Sequence, residues 1–146
     1  MTWKPNATVA VVVQHDDHFL MVEERSNGRV VLNQPAGHIE RSESVFEAAR
    51  REALEETGYD VELTGFLGLY ILRSAANGLT YHRCCFIGEA RRHVTDALDD
   101  DILAAHWLTW QDLMEQKDKL RSPLVLQCIE DFRNGRNLPL DVVREL

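Results

Sequence analysis

Apolar and polar positions fall into short blocks along the chain, and each block reads as one element. Ala7 to Val13 is a continuous apolar run rich in β-branched residues, the pattern of a buried strand. His15-Asp16-Asp17-His18 is a polar turn, and Phe19 to Glu24 is a second strand, read as the return arm of a hairpin. Asn27-Gly28 is a turn dipeptide, Val30 to Leu32 is a short strand, and Asn33 to Arg41 reads as an irregular loop. The strongest helical signal runs from about Val45 to Thr57. Ser44 with Glu47 three residues later makes a capping box at its start, and Gly58 supplies the stop. Beyond it, Val61 to Arg73 is extended and apolar, Ala75 to Gly78 is a turn, and Leu79 to Gly88 and Ala105 to Leu108 are strands. Trp110 to Lys119 and Pro123 to Arg133 read as helices, the second opened by Ser122 as N-cap with proline at the first helical position. Strands interrupted by a central helix and closed by further helices predict an α/β fold, a mixed β-sheet with helices on both faces. At 146 residues the chain fits a single domain, 1–146, with one continuous core.

The central helix carries an anomaly. Glu52, Glu55 and Glu56 stand at i, i+3 and i+4 and share one face, in line with Val45, Ala48 and Ala49 one to two turns earlier. The stripe therefore begins apolar, as if packed on a sheet, and ends as three carboxylates. Like charges at this spacing repel, cost more when partly buried, and sit at the helix end that disfavours anions. Arg51 has charge enough to pair with one carboxylate but hardly with three. A hard divalent cation offsets all of them, since Mg²⁺ or Mn²⁺ takes oxygen ligands and bridges to phosphate oxygens. Taken alone, E-x-x-E-E is more simply a solvated acidic face paired to Arg50 and Arg51.

Charge and cysteine content narrow the class. With 16 basic and 24 acidic residues the net charge is −8, so the chain does not grip nucleic-acid backbones by bulk charge. It also repels phosphorylated compounds unless cations cover some carboxylates. Three cysteines, Cys84, Cys85 and Cys128, make no disulfide framework and read as buried thiols in a reducing cytosol. The first residues lack the regions of a signal peptide, and no apolar run nears the ~20 residues that span a bilayer. The expected setting is cytoplasmic, with no membrane and no nucleic-acid polymer as partner.

The segment from Gly37 to Tyr59 decides between the two readings of the acidic face. It resembles the Nudix box, G-x5-E-x7-R-E-U-x-E-E-x-G-U with U a bulky apolar residue, at Gly37, Glu43, Arg51, Glu52, Glu55, Glu56 and Gly58. Ala53 and Tyr59 depart from the two U positions. Seven matches at fixed spacing on a loop–helix–stop pattern are specific. The resemblance implies a Nudix-type α/β/α sandwich and a metal-dependent hydrolase that cuts a phosphoanhydride bond. It assigns Glu52, Glu55 and Glu56 to Mg²⁺, or Mn²⁺, with help from the backbone carbonyl of Gly37. It has Arg51 orient a glutamate and Glu43 hold the loop to the helix, and it leaves the general base open between Glu52 and Glu56. A further acid from a later loop is common in the family, and Asp101, at the end of Asp99-Asp100-Asp101, is the expected one.

N-Q-P-A-G-H-I-E, L-R-S-P-L-V and the ending N-G-R-N-L-P-L resemble the NudJ phosphatase branch of that family. That likeness implies release of phosphate from nucleoside di- and triphosphates or from thiamine-pathway diphosphates, such as hydroxymethylpyrimidine diphosphate and thiamine diphosphate. L-R-S-P-L has a plainer reading as a helix cap. Sequence signatures of NADH- and ADP-ribose-cleaving relatives are missing. On the substrate side, Arg25 is a candidate phosphate contact, Asn33 and Gln34 candidates for reading a base, and Tyr81, His82 and Trp107 candidates for stacking on a ring. The rival reading is a non-catalytic Nudix domain that binds a nucleotide. Such domains typically lose a metal carboxylate, and this chain keeps all of them. The expected protein is a monomer or homodimer acting on a small phosphorylated molecule.

Overall fold

A computed structural model describes residues 1–146. Its elements in chain order are β1 (Asn6–His15), β2 (His18–Ser26), β3 (Arg29–Asn33), β4 (Ala36–His38), α1 (Val45–Thr57), β5 (Tyr59–Arg73), β6 (Thr80–His93), β7 (Ile102–Thr109), α2 (Trp110–Glu115) and α3 (Pro123–Arg133). The strands run β3-β2-β1-β6-β5, with β4 on β1 and β7 on β2. β1 is parallel to β6 and antiparallel to β4, while β5 and β6 form a long antiparallel pair. The sheet is thus mixed, as the alternation of strands and helices implies.

β1 explains its own apolar run. Val9 to Val13 are all at most 1% exposed because both faces of the strand are covered. Val9, Val11 and Val13 face α1, where Ala48, Ala49 and Ala53 are fully buried against them together with Phe86. Ala10 and Val12 face the other way, onto Leu113 of α2 and Val125, Cys128 and Ile129 of α3, beside Cys85 and Leu67. Ala53 departs from the bulky residue of the motif at a position with no room to spare, since small side chains let α1 lie close to the sheet.

α1 has the predicted bounds. Ser44 accepts from the Glu47 amide and Glu47 accepts from the Ser44 amide, and Gly58 sits at φ 78°. A Cβ on Gly58 would fall on the Thr95 carbonyl, so glycine is required there on two grounds. α3 also matches its predicted span, with Ser122 accepting from the Leu124 amide.

The hairpin between β1 and β2 is present, and three other expectations are corrected. The β1–β2 hairpin pairs only beside its turn, at Gln14↔Phe19 and His15↔His18. Farther along, β4 and β6 occupy the two edges of β1, and β2 pairs instead with β3 and β7. The irregular loop after Asn33 contains β4, three residues laddered against Thr8 to Ala10. β6 runs five residues past Gly88, because β5 gives it a partner as far as Tyr59↔His93. α2 ends at Glu115, and the last residues of the predicted helix form a separate 3-10 turn at Lys117–Lys119. No helix is long and apolar enough to cross a membrane.

Candidate active site

α1 delivers its acidic end to the edge formed by β4. Arg51 lies at the centre of that end. Its Nε and Nη2 grip both oxygens of Glu43 at 2.6 and 2.9 Å, its Nη1 reaches Glu52 at 2.8 Å and Glu55 at 3.1 Å, and Nη2 also donates to the His38 carbonyl at 3.0 Å. Arg51 therefore pairs with two of the three helix glutamates as well as Glu43, more than its single charge suggests. A planar guanidinium with five donors serves several carboxylates at once. This fork and the Glu40 amide hold the Glu43 carboxyl down at about 2, so Glu43 stays ionised and pins the loop before α1. The carboxylates in return push the Arg51 pKa further up.

Glu52 lies directly against Gly37. A Cβ on residue 37 would land on the Glu52 carboxylate, so the motif glycine is needed for the close approach itself. Burial pushes the Glu52 pKa up, Arg51 pulls it back, and the charges of Glu55 and Asp99 push it up again. Glu56 is deeper, 7% exposed, with its Oε1 accepting from the Ala36 amide at 2.8 Å. Burial first, then the charges of Glu24, Glu52 and Asp99, push it up to about 9 against the pull of that amide.

The later acid that joins the helix carboxylates is Asp99. Glu52, Glu55 and Asp99 each place an oxygen within 4.8 Å of the others. The Asp99 amide donates to the Glu55 carbonyl at 3.0 Å, which ties this loop to the last turn of α1. Asp101, the residue expected from sequence, is exposed and held elsewhere, its carbonyl accepting from the Arg25 amide at 3.0 Å as β7 begins. Crowded oxygens of this kind fit a hard divalent cation: the donor set is all carboxylate, and after the larger effect of burial the neighbouring acidic charges add to the raised proton affinity of Glu52 and Glu56.

A cavity of about 210 Å³ opens beside β4, on the α3 side of the sheet. Asn33 and Tyr81 line it, with Gly37 and His38 of β4 along one wall. Gln34 does not line it. That side chain is 1% exposed, donating to the Val125 carbonyl at 2.7 Å and accepting from Arg83 at 3.0 Å, so it is internal scaffolding and not a base-reading group. Arg25 is exposed and outside the cavity, because strand alternation turns its neighbour Glu24 inward instead. Of the three candidate stacking rings only Tyr81 lines the cavity. His82 packs edge-on to Trp3, and Trp107 packs edge-on to Tyr59 and His15.

Two important groups escaped the sequence reading. Arg83 is 6% exposed and lines the cavity, and its charge helps to draw the Cys128 thiol pKa down, after the larger effect of hydrogen bonding with Cys85. Glu24 is also 6% exposed, and Arg121 of the L-R-S-P-L segment donates to it at 2.6 Å. That arginine has work beyond the helix cap. Alternation held the signal in both cases: Arg83 is in step with Cys85 and Ile87, and Glu24 with Leu20 and Val22.

The NUDIX domain model matches residues 4–127. Phosphatase NudJ of Escherichia coli strain K12 is 37% identical over 142 residues, which cover 97% of this chain and 92% of that protein. A NUDIX hydrolase structure from Nitrosomonas europaea superposes with a TM-score of 0.94 at 42% identity, covering 98% of each chain. The NUDIX domain of Shewanella oneidensis NrtR, solved with ADP ribose, shares the fold at a TM-score of 0.71 and 19% identity, over 91% of this chain and 89% of that one. With the box residues gathered at the acidic end of α1, and with likeness over nearly its whole length to a NUDIX phosphatase, this chain belongs to the NUDIX family of hydrolases.

Proposed function

We propose that the chain is a metal-dependent phosphatase of small compounds with a terminal diphosphate: nucleoside di- or triphosphates, or thiamine-pathway diphosphates such as hydroxymethylpyrimidine diphosphate and thiamine diphosphate. The observation that carries the reading is the convergence of Glu52, Glu55 and Asp99 within 4.8 Å at an edge kept open by Gly37. Likeness to phosphatase NudJ supports the choice of bond.

Glu52, Glu55 and Asp99, with Glu56 behind them, would hold Mg²⁺ or Mn²⁺. Bound there, the cation would neutralise the diphosphate and lower the pKa of the attacking water. The chain's own contribution is order. Arg51 fixes Glu52 and Glu55, Glu43 fixes Arg51, and the Ala36 amide fixes Glu56. Water oxygen attacks the terminal phosphorus, the bridging P–O bond breaks, and the water proton passes to a carboxylate with raised proton affinity, Glu52 or Glu56. Inorganic phosphate and the shortened compound leave. The three free thiols fit a reducing compartment, and we assign the protein to the cytoplasm, as a monomer or homodimer.

The test is hydrolysis of nucleoside di- and triphosphates, thiamine-pathway diphosphates, ADP-ribose and dinucleoside polyphosphates at equal concentration, with products resolved by phosphorus NMR. Phosphate release from terminal diphosphates, dependent on Mg²⁺ or Mn²⁺ and abolished by EDTA, is the expected result. Full turnover in EDTA refutes the mechanism. A higher kcat/KM for ADP-ribose or a dinucleotide than for every terminal diphosphate refutes the substrate class.

A further inference from the structure

A guanidinium buried in the cavity floor is unusual in its company. Arg83 donates to two amide oxygens, Gln34 at 3.0 Å and Asn33 at 3.5 Å, and its Nε has no acceptor. Its other polar neighbour is the Cys128 thiol. No carboxylate pairs with it, although a buried cation ordinarily has a counterion or a full set of strong acceptors. Nor does any Asp or Glu line the cavity, in a chain with 24 acidic residues against 16 basic ones. The remaining walls mix Leu72, Leu124 and the Tyr81 ring with His38, serine and asparagine, and with Arg121, which is paired to Glu24; this suits a flat, polar ring.

Register relates this cavity to the reaction centre. Thr8 on β1 lies between His38 on β4 and Arg83 on β6. Neighbouring strands are about 4.8 Å apart, so the Arg83 backbone is roughly 10 Å from β4, where Gly37 meets Glu52. A nucleoside diphosphate covers such a reach. Its ring would enter the cavity, and its phosphates would pass over β4 at Gly37, the position that has no side chain.

Resting on the reading above, we infer that Arg83 is a specificity-determining residue. Held in place by Gln34 and Asn33, it binds the acceptor edge (carbonyl oxygens or ring nitrogens) of a heterocycle carried by the diphosphate substrate. Arginine supplies paired donors to such edges, and a site built around a buried donor rejects a ring that leaves it unpaired. Gln34, expected to touch substrate, acts through Arg83 as a positioning residue.

The experiment compares uridine diphosphate with difluorobenzene ribonucleoside diphosphate, which keeps the ring shape, ribose and phosphates but lacks strong acceptors. The wild-type protein should favour uridine diphosphate by on the order of 10²-fold in kcat/KM. R83K, checked for folding by circular dichroism and melting, should lose at least about tenfold more on uridine diphosphate than on the analogue. Equal losses on both substrates, or no wild-type preference, overturn the inference. Binding of UMP, which has the ring and no anhydride bond, keeps the idea separate from hydrolysis. If neither diphosphate is cleaved, the proposed function fails. The inference then stands or falls on whether R83K weakens UMP binding more than it weakens the difluorobenzene monophosphate.

Discussion

Replacing Glu56 by Gln removes an ionisable carboxyl from a side chain that is only 7% exposed. Glutamine keeps the shape, and its carbonyl oxygen can still accept from the Ala36 amide. In the native protein, burial pushes the Glu56 pKa from 4.5 up to about 9. Because the folded-state value lies above the unfolded one, the stability this group contributes is fully present below about pH 4.5 and is lost as pH rises through about 9. Between pH 4.5 and 7 that loss is about 3 kcal/mol, from two and a half pH units at roughly 1.4 kcal/mol each. In EDTA at pH 7, Glu56→Gln should therefore be more stable than the native protein by about 1–3 kcal/mol. For a chain of this size each kcal/mol is roughly 2–4 °C in Tm. At pH 4.5 the two melting curves should converge. Hydrolysis should fall by on the order of 10²-fold or more, because the carboxyl that is costly to ionise in the empty site is the one used, ionised, with the cation. Mg²⁺ or Mn²⁺ should raise the Tm of the native protein more than that of the variant. Calorimetric scans at both pH values, with and without metal, give all of these quantities. A Tm difference of the same size at pH 4.5 and 7, or a variant within a few-fold of the native rate, would refute the reasoning.

Asp99→Asn should lower kcat by about 10- to 10²-fold and weaken Mn²⁺ binding, whereas Asp101→Asn should stay within a few-fold; the reverse order in a titration and rate assay would restore Asp101. Gly37→Ala should reduce activity by on the order of 10²-fold and destabilise by about 1–3 kcal/mol, because the new methyl group meets the Glu52 carboxylate; native-like rates would show that β4 yields easily. Arg51→Lys should lower the Tm, by about 1–2 kcal/mol in stability, and reduce kcat, since an ammonium cannot reproduce the two-pronged grip on Glu43 while also reaching Glu52 and Glu55; unchanged melting and kcat would contradict its central place.

What the chain determines locally is legible in its letters. The bounds of α1 follow from Ser44, Glu47 and Gly58, because capping boxes and left-handed glycine stops involve residues a few positions apart. The shared face of Glu52, Glu55 and Glu56 follows from the helical period alone. β1 is readable from its apolar run because both of its faces are covered. Contacts between distant segments are decided differently. Asp99 rather than Asp101 meets the glutamates because the loop is tied to the Glu55 carbonyl, and three adjacent aspartates carry no mark of which will be tied. β4 is too short to announce itself and exists because β1 offers an edge. Gln34 faces inward because α3 presents the Val125 carbonyl 91 positions later. Arg83 becomes the floor of a cavity only when β1, β4 and β6 lie side by side. Helix caps and periodicity are short-range physics and are written in adjacent residues. Which buried polar groups find one another depends on how the whole sheet closes.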